Sequence, residues 1–316
     1  MNLEPQRRRW FRFTLRSLLV LVVVLAIPLA WIAKERHQSQ YEQRIAEQLR
    51  TKGTEVLLCG PYDSYELFST GTPQGLGHDF TRTLQGERII SIAIATDEHS
   101  DLLPLAGLTN LQYLHLHCTQ VIDLTPLSGL TNLKQLYINS PTSDLLPLGR
   151  LAQLEWLRID SAKASDLTPL ARLKNLKELI VTSPVSDLSP LAGLTNLKSL
   201  MLFDAQVRDL KPLAQFTNVQ KLDLASTQVS DLRPIAALTN LRQLGLNSTN
   251  ISDIAPLANL TKLEVLDLSH TQVIDVSALA KLTGLQGLNL HNTKVGDEEI
   301  LMLRRALPNC NISVLW

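Results

Sequence analysis

The 316 residues carry 30 basic and 30 acidic side chains, so no overall field draws in nucleic acid or an acidic partner. Aromatics make up only 5% while leucine dominates, which is the composition of one small unit stacked many times. The three cysteines, Cys59, Cys118 and Cys310, are odd in number and far apart, which excludes a disulfide framework and zinc-ligand spacing.

Residues 1–16 form a basic tail, with Arg7, Arg8, Arg9, Arg12 and Arg16 against Glu4. From Ser17 to Ala33 no residue is charged, a length at the short end of what crosses a bilayer as a helix. Trp10 and Trp31 stand near its two ends, where indoles favour the membrane interface. The expectation is a single-pass anchor at residues 17–33 in the plasma (inner) membrane. The arginines predict a cytoplasmic N-terminus and an exported remainder. Two alternatives stand beside it: a signal peptide cleaved after Val24-Leu25-Ala26, and a buried soluble helix. Pro28 is tolerated in a lipid-embedded helix.

Residues 34–53 read as a polar helical stalk. Tyr41, Ile45 and Leu49 fall on one narrow stripe, suited to leaning on the next segment or to pairing with a second copy. Gly53 is a helix stop. Residues 54–88, punctuated by Gly60-Pro61, Gly71, Pro73, Gly75 and Gly77, read as a cap over the first repeat, with a short strand at Val56-Leu57-Leu58.

Residues 89–296 repeat. Leu108-Thr109-Asn110-Leu111 is followed by Leu114 and Leu116, Val121, and then Asp123-Leu124-Thr125-Pro126-Leu127. Units begin at Leu108, Leu130, Leu151, Leu173, Leu194, Phe216, Leu238, Leu260 and Leu282, spaced by 21 or 22 residues. In each unit the Leu-x-Leu pair predicts a strand with both side chains in the core, and successive strands pair in parallel. The Asp is placed to accept from free backbone N–H groups where Pro opens a turn of helix or 3₁₀ helix. Thr119, Thr227, Thr249, Thr271 and Thr293 are placed to satisfy backbone groups at the bend after the strand. One carboxylate per coil, without a glycine-rich pattern, is a capping device and not a calcium site. Residues 297–316 lose the proline and read as a C-terminal cap: a helix ended by Pro308, then a last strand through Ile312 and Val314.

The unit resembles the internalin-type leucine-rich repeat of bacteria, with Thr where that family usually has Asn. The N-terminal run followed by a polar helix resembles the anchored leucine-rich-repeat proteins of planctomycetes. The resemblance implies an α/β solenoid, with a curved parallel sheet on the concave face and 3₁₀ or short helices and turns on the convex face. It also implies a protein that binds a protein or other ligand, without identifying the partner.

Outward-pointing strand residues define the face on which binding is sought. Tyr113, His115, Tyr137, Trp156, Arg158, Ile180, Met201 and Phe203 cluster on the second to sixth strands, while later strands carry small and polar residues. Exposed aromatics and arginine are the residue types that make binding hot spots. The competing reading is that these rings pack on one another or on the cap. The reading that follows is a membrane-anchored module binding a protein or glycan on this face; a structural envelope spacer is the alternative. His115 and His117, followed by Cys118, are the remote candidate for a metal-dependent activity. No third ligand is evident, and neither a metal nor a cofactor is expected. No phosphate loop, nucleophile elbow or HExxH helix is present, so the chain is not expected to be an enzyme.

Overall fold

The computed structural model describes residues 30, 33, 34, 36–38, 40–45, 47, 55–57, 91–96 and 101–314. The basic tail, nearly all of the apolar run and most of the expected cap at 54–88 lie outside them. No helix among the described residues is long and apolar enough to cross a membrane.

Twelve strands among the described residues make one sheet in chain order. β1 (Glu55–Leu57) runs antiparallel to β2 (Ser91–Thr96). From there the pairing is parallel, through β3 (Tyr113–Cys118), β4 (Gln135–Asn139), β5 (Trp156–Asp160), β6 (Glu178–Thr182) and β7 (Ser199–Phe203). It continues through β8 (Lys221–Asp223), β9 (Gln243–Gly245), β10 (Val265–Asp267), β11 (Gly287–Asn289) and β12 (Asn311–Ser313). The expected solenoid is present.

The register repeats coil by coil. Leu114 pairs with Leu136, Leu136 with Leu157, and Leu157 with Leu179. Each of these leucines is fully buried. A fully buried leucine contributes about 1.5–3 kcal/mol, so the stacked rows supply most of the cohesion. Leu102, Leu105 and Leu108 show how the return path closes: each accepts at its carbonyl from the N–H three residues on, at 2.9 Å. Pro sits at the opening of the 3₁₀ turn in every coil from Leu103–Gly107 to Ala255–Asn259, where its missing N–H costs nothing.

The aspartates do what the unit predicts. Asp123 Oδ1 accepts from the N–H of Thr125 at 2.8 Å, and the bond recurs at Asp101, Asp144, Asp166, Asp187, Asp209, Asp231, Asp253 and Asp275. Hydrogen bonds from the side chains of Thr125, Thr168 and Ser189, and then from their N–H groups, hold the carboxyls of Asp123, Asp166 and Asp187 below the usual range. Thr227, Thr249, Thr271 and Thr293 donate their hydroxyls to the carbonyls of Leu224, Leu246, Leu268 and Leu290. A further ladder runs along the flank, where Asn132, Asn175, Asn196, Asn218 and Asn240 each donate to a carbonyl of the preceding coil.

The sheet has two regimes. Strands β2 to β7 have five or six residues, whereas β8 to β11 have three. The five non-glycine residues with positive φ, Asp204, Ser226, Ser248, His270 and Asn292, all follow β7 or a later strand. A left-handed residue turns the chain sharply off the sheet. The longer strands carry the aromatic cluster.

Both ends are closed. At the C-terminus the helix Asp297–Ala306 has three acids in its first turn and Arg304 and Arg305 in its last, matching the helix dipole, and buries Ile300 and Leu303. At the N-terminus the stalk is not free: its stripe docks on the first 3₁₀ turn. Ile45 is buried in the solenoid core, and the Tyr41 hydroxyl donates to the Pro104 carbonyl at 3.2 Å. Gln38 Nε2 donates to the Gly107 carbonyl at 2.7 Å, and Asn110 Nδ2 donates to Glu42 Oε1 at 3.2 Å. Capping therefore begins earlier in the chain than residues 54–88, because an amphipathic helix is what can cover the apolar end of a coil.

Candidate binding face

The pleat puts Leu136 and Ile138 inward and Gln135, Tyr137 and Asn139 on the concave face. The same alternation places all eight candidate residues on that face, on β3 to β7. They lie on neighbouring strands about 4.8 Å apart, so they form a patch on the order of 20 Å wide.

The patch has a floor and a rim. His115 and Tyr137, expected to be exposed, are buried, with only 8% and 9% of their surfaces accessible. For these two the rings do pack on one another. His115 meets the edge of Tyr137 at 5.9 Å and stacks on Trp156 at 6.5 Å with the planes 14° apart. Burial pulls the His115 pKa down to about 4, so the ring is neutral at physiological pH. Tyr113, Trp156, Arg158, Ile180, Met201 and Phe203 are half-buried and form the accessible rim.

Asp160 ties the floor to the rim, although it was not among the candidates. Its Oδ2 accepts from Tyr137 Oη at 2.9 Å, and from Arg158 Nε and Nη2, both at 2.8 Å. Arg158 also lies 5.1 Å from the centre of the Tyr137 ring. The guanidinium is thereby held over the Tyr137 ring, where cation–π attraction and the Asp160 charge act together. Burial first, and then the Asp160 charge, push the Tyr137 phenol pKa up. The signal in the sequence was a carboxylate two residues from an arginine, and therefore on the same face of the strand.

The metal alternative gains nothing from this geometry. His115 lies within the ring stack, while the exposed His117 pairs with Asn139 at 3.1 Å. Among the described residues no three potential ligands gather at one point.

Beyond β7 the face changes character. Asp223, Asp267 and Asn289 turn their Oδ1 atoms to the N–H groups of Ala225, Ser269 and His291 at the strand ends. These polar groups serve the backbone. Asp223 also leans over Gly245, where a Cβ would meet its Oδ1 at 2.5 Å. Desolvation raises the Asp223 pKa, with a smaller contribution from Asp267.

A parallel ladder with one 3₁₀ turn per coil defines a leucine-rich-repeat protein. The chain belongs to that family, and its repeats are of the internalin type. The family described as "Leucine Rich repeats (2 copies)" matches residues 109–150, 217–259 and 261–301. An internalin (InlF) from Listeria monocytogenes is 28% identical with a TM-score of 0.61, over 71% of this chain and 73% of that one. An internalin C2 from the same organism is 30% identical with a TM-score of 0.53, over 64% of this chain and 80% of that one. The functional domain of InlJ, also from Listeria monocytogenes, shares the fold at 19% identity and a TM-score of 0.53, over 72% of this chain and 53% of that one. No curated protein sequence matches the chain.

Proposed function

We propose that this protein is a non-enzymatic binding module that takes a protein partner on the concave face of β3 to β7, and that residues 17–33 hold it at a membrane with the repeats on the exported side. The observation that carries the binding reading is the rim itself. Trp156, Arg158, Ile180, Met201 and Phe203 stand half-exposed on a floor of interlocked rings. Such a surface offers apolar area and an oriented cation at little entropic cost, because the side chains are already held. The fold supports the same reading, since stacked coils present an extended concave surface. The anchor reading rests on the uncharged run from Ser17 to Ala33 and the five arginines before it.

Cross-linking the full chain in its native membrane and identifying the captured partner tests the binding reading. Trp156→Ala combined with Phe203→Ala is expected to abolish capture while the melting temperature stays within a few degrees. Unchanged capture would mean that the patch is not the interface, and a spacer would show no specific partner at all. A topology reporter fused after Trp316 tests the orientation, and cytoplasmic signal from it would refute export.

A further inference from the structure

A groove of about 640 Å³ runs along the ends of β3 to β7, where the chain leaves the sheet. One wall is the concave-side row Asn139, Asp160 and Thr182; the other is built from Pro141, Ala162 and Pro184 on the departing loops. No lysine or arginine lines it. Beneath it runs a ladder of serine hydroxyls. Ser140 Oγ donates to the Gln120 carbonyl at 2.8 Å, and Ser161 Oγ to the Thr142 carbonyl at 2.7 Å, each reaching the preceding coil. The ladder stops at Ser183. This residue is buried, with 3% of its surface accessible, and its Oγ has no hydrogen-bond partner among the described residues. Asp160 Oδ1 is likewise buried and unpartnered, while Oδ2 takes all the donors. A buried polar atom without a partner costs about 1–3 kcal/mol, and two of them border the same groove.

We propose that this groove is a second binding site, adjoining the protein-partner patch at Asp160, for a neutral oligosaccharide. The chemistry of the lining selects that class. An anion would meet the Asp160 carboxylate without a lining cation to hold it. Arg158 already neutralises Asp160, which leaves Asp204 at the far end as a single carboxylate, an acceptor for ligand hydroxyls. What the walls offer is the Thr182 hydroxyl, the Asn139 amide and the Asp204 carboxylate, flanked by the apolar rings of Pro141 and Pro184. A sugar ring presents the matching set: several hydroxyls that both donate and accept, on an apolar C–H face. The coils repeat about every 4.8 Å, close to the length of one sugar unit, so consecutive rings meet equivalent groups.

The test is calorimetric titration of the purified full-length protein with β-1,4-linked tetrasaccharides of glucose and of N-acetylglucosamine, with a sulfated tetrasaccharide as the anionic comparison. Saturable binding of at least one neutral tetrasaccharide is expected, with none of the sulfated one. Ala162→Trp fills the groove from an exposed position and is expected to abolish that binding with an unchanged melting curve. Thr182→Ala removes a hydroxyl from the groove wall and is expected to weaken binding about fivefold, as the loss of one hydrogen bond would. No neutral binding at millimolar sugar overturns the proposal, as does binding that survives Ala162→Trp or preference for the sulfated sugar. If Ala162→Trp instead abolishes capture of the protein partner and no sugar binds, the groove belongs to the protein interface and the saccharide proposal fails. The patch double variant Trp156→Ala with Phe203→Ala separates the two readings, since it is expected to lose the partner and keep the sugar.

Discussion

Tyr137 on β4 donates its hydroxyl to Asp160 Oδ2 on β5 at 2.9 Å, the same oxygen that holds the Arg158 guanidinium. One carboxylate oxygen thus orients both the buried ring and the half-exposed cation above it. Tyr137→Phe keeps the ring and removes only this bond. It is expected to cost about 1.5–3 kcal/mol in urea unfolding, the range for a bond to a charged acceptor. Asp160→Ala releases Arg158 as well and is expected to cost more than Tyr137→Phe. Equal costs would show that Arg158 is held by something other than Asp160.

His115 makes the fold sensitive to acid. Its pKa is about 4 in the folded protein against 6.5 for a free ring. Between those values the unfolded chain binds the proton and the folded chain does not. Stability is therefore intact above pH 6.5 and falls as the pH drops from there towards 4, by on the order of 3 kcal/mol at most. The lowered carboxyl pKa values of Asp123, Asp166 and Asp187 add a further loss below the ordinary carboxylate range. Melting temperatures measured from pH 7.5 to 4.5 are expected to decline in the native protein and to stay flatter in His115→Phe. Parallel curves would assign the acid sensitivity to other groups.

Gly107 faces the docked stalk. A Cβ there would lie 2.4 Å from the Tyr41 ring. Gly107→Ala is expected to displace Tyr41 and raise amide hydrogen exchange in residues 40–45 and in the first coil, leaving the last coils unchanged. Ile45→Ala opens the same contact from the other side, at about 2–4 kcal/mol for a buried isoleucine. If exchange does not rise in either variant, the stalk does not cap the first coil in solution.

Ser248 is held at φ 58°. The left-handed region costs an ordinary L-residue roughly 1–2 kcal/mol, so Ser248→Gly is expected to be neutral or stabilising and Ser248→Val destabilising by about that amount. The exposed Ser248 side chain makes this a clean backbone test, read as shifts in melting temperature. A stabilising valine would contradict the turn geometry.

The coil was legible in the residues because each function in it recurs at a fixed offset. Leu114 and Leu116 face the core, Asp123 closes the turn, Pro126 opens it, and the next coil repeats the pattern. Side-chain direction on a strand alternates with period two, so the concave face carrying Trp156, Arg158 and Phe203 could also be read off the chain. The helix on the stripe of Tyr41 and Ile45 was equally visible, but not the surface it covers.

What the residues by themselves determined is the solenoid, its strand faces and the strands on which the aromatic cluster sits, since these depend only on local periodicity and stacking. The tertiary structure decided which rings are floor and which are rim, because burial of His115 and Tyr137 depends on neighbours one and two coils away. It also decided that Asp160 is the hub of the patch, that the stalk is part of the cap, and that Ser183 and Asp160 Oδ1 border one groove. Each of these is a contact between residues on different coils or between distant segments. Periodicity aligns such residues, but only distance and orientation in space determine which atoms meet.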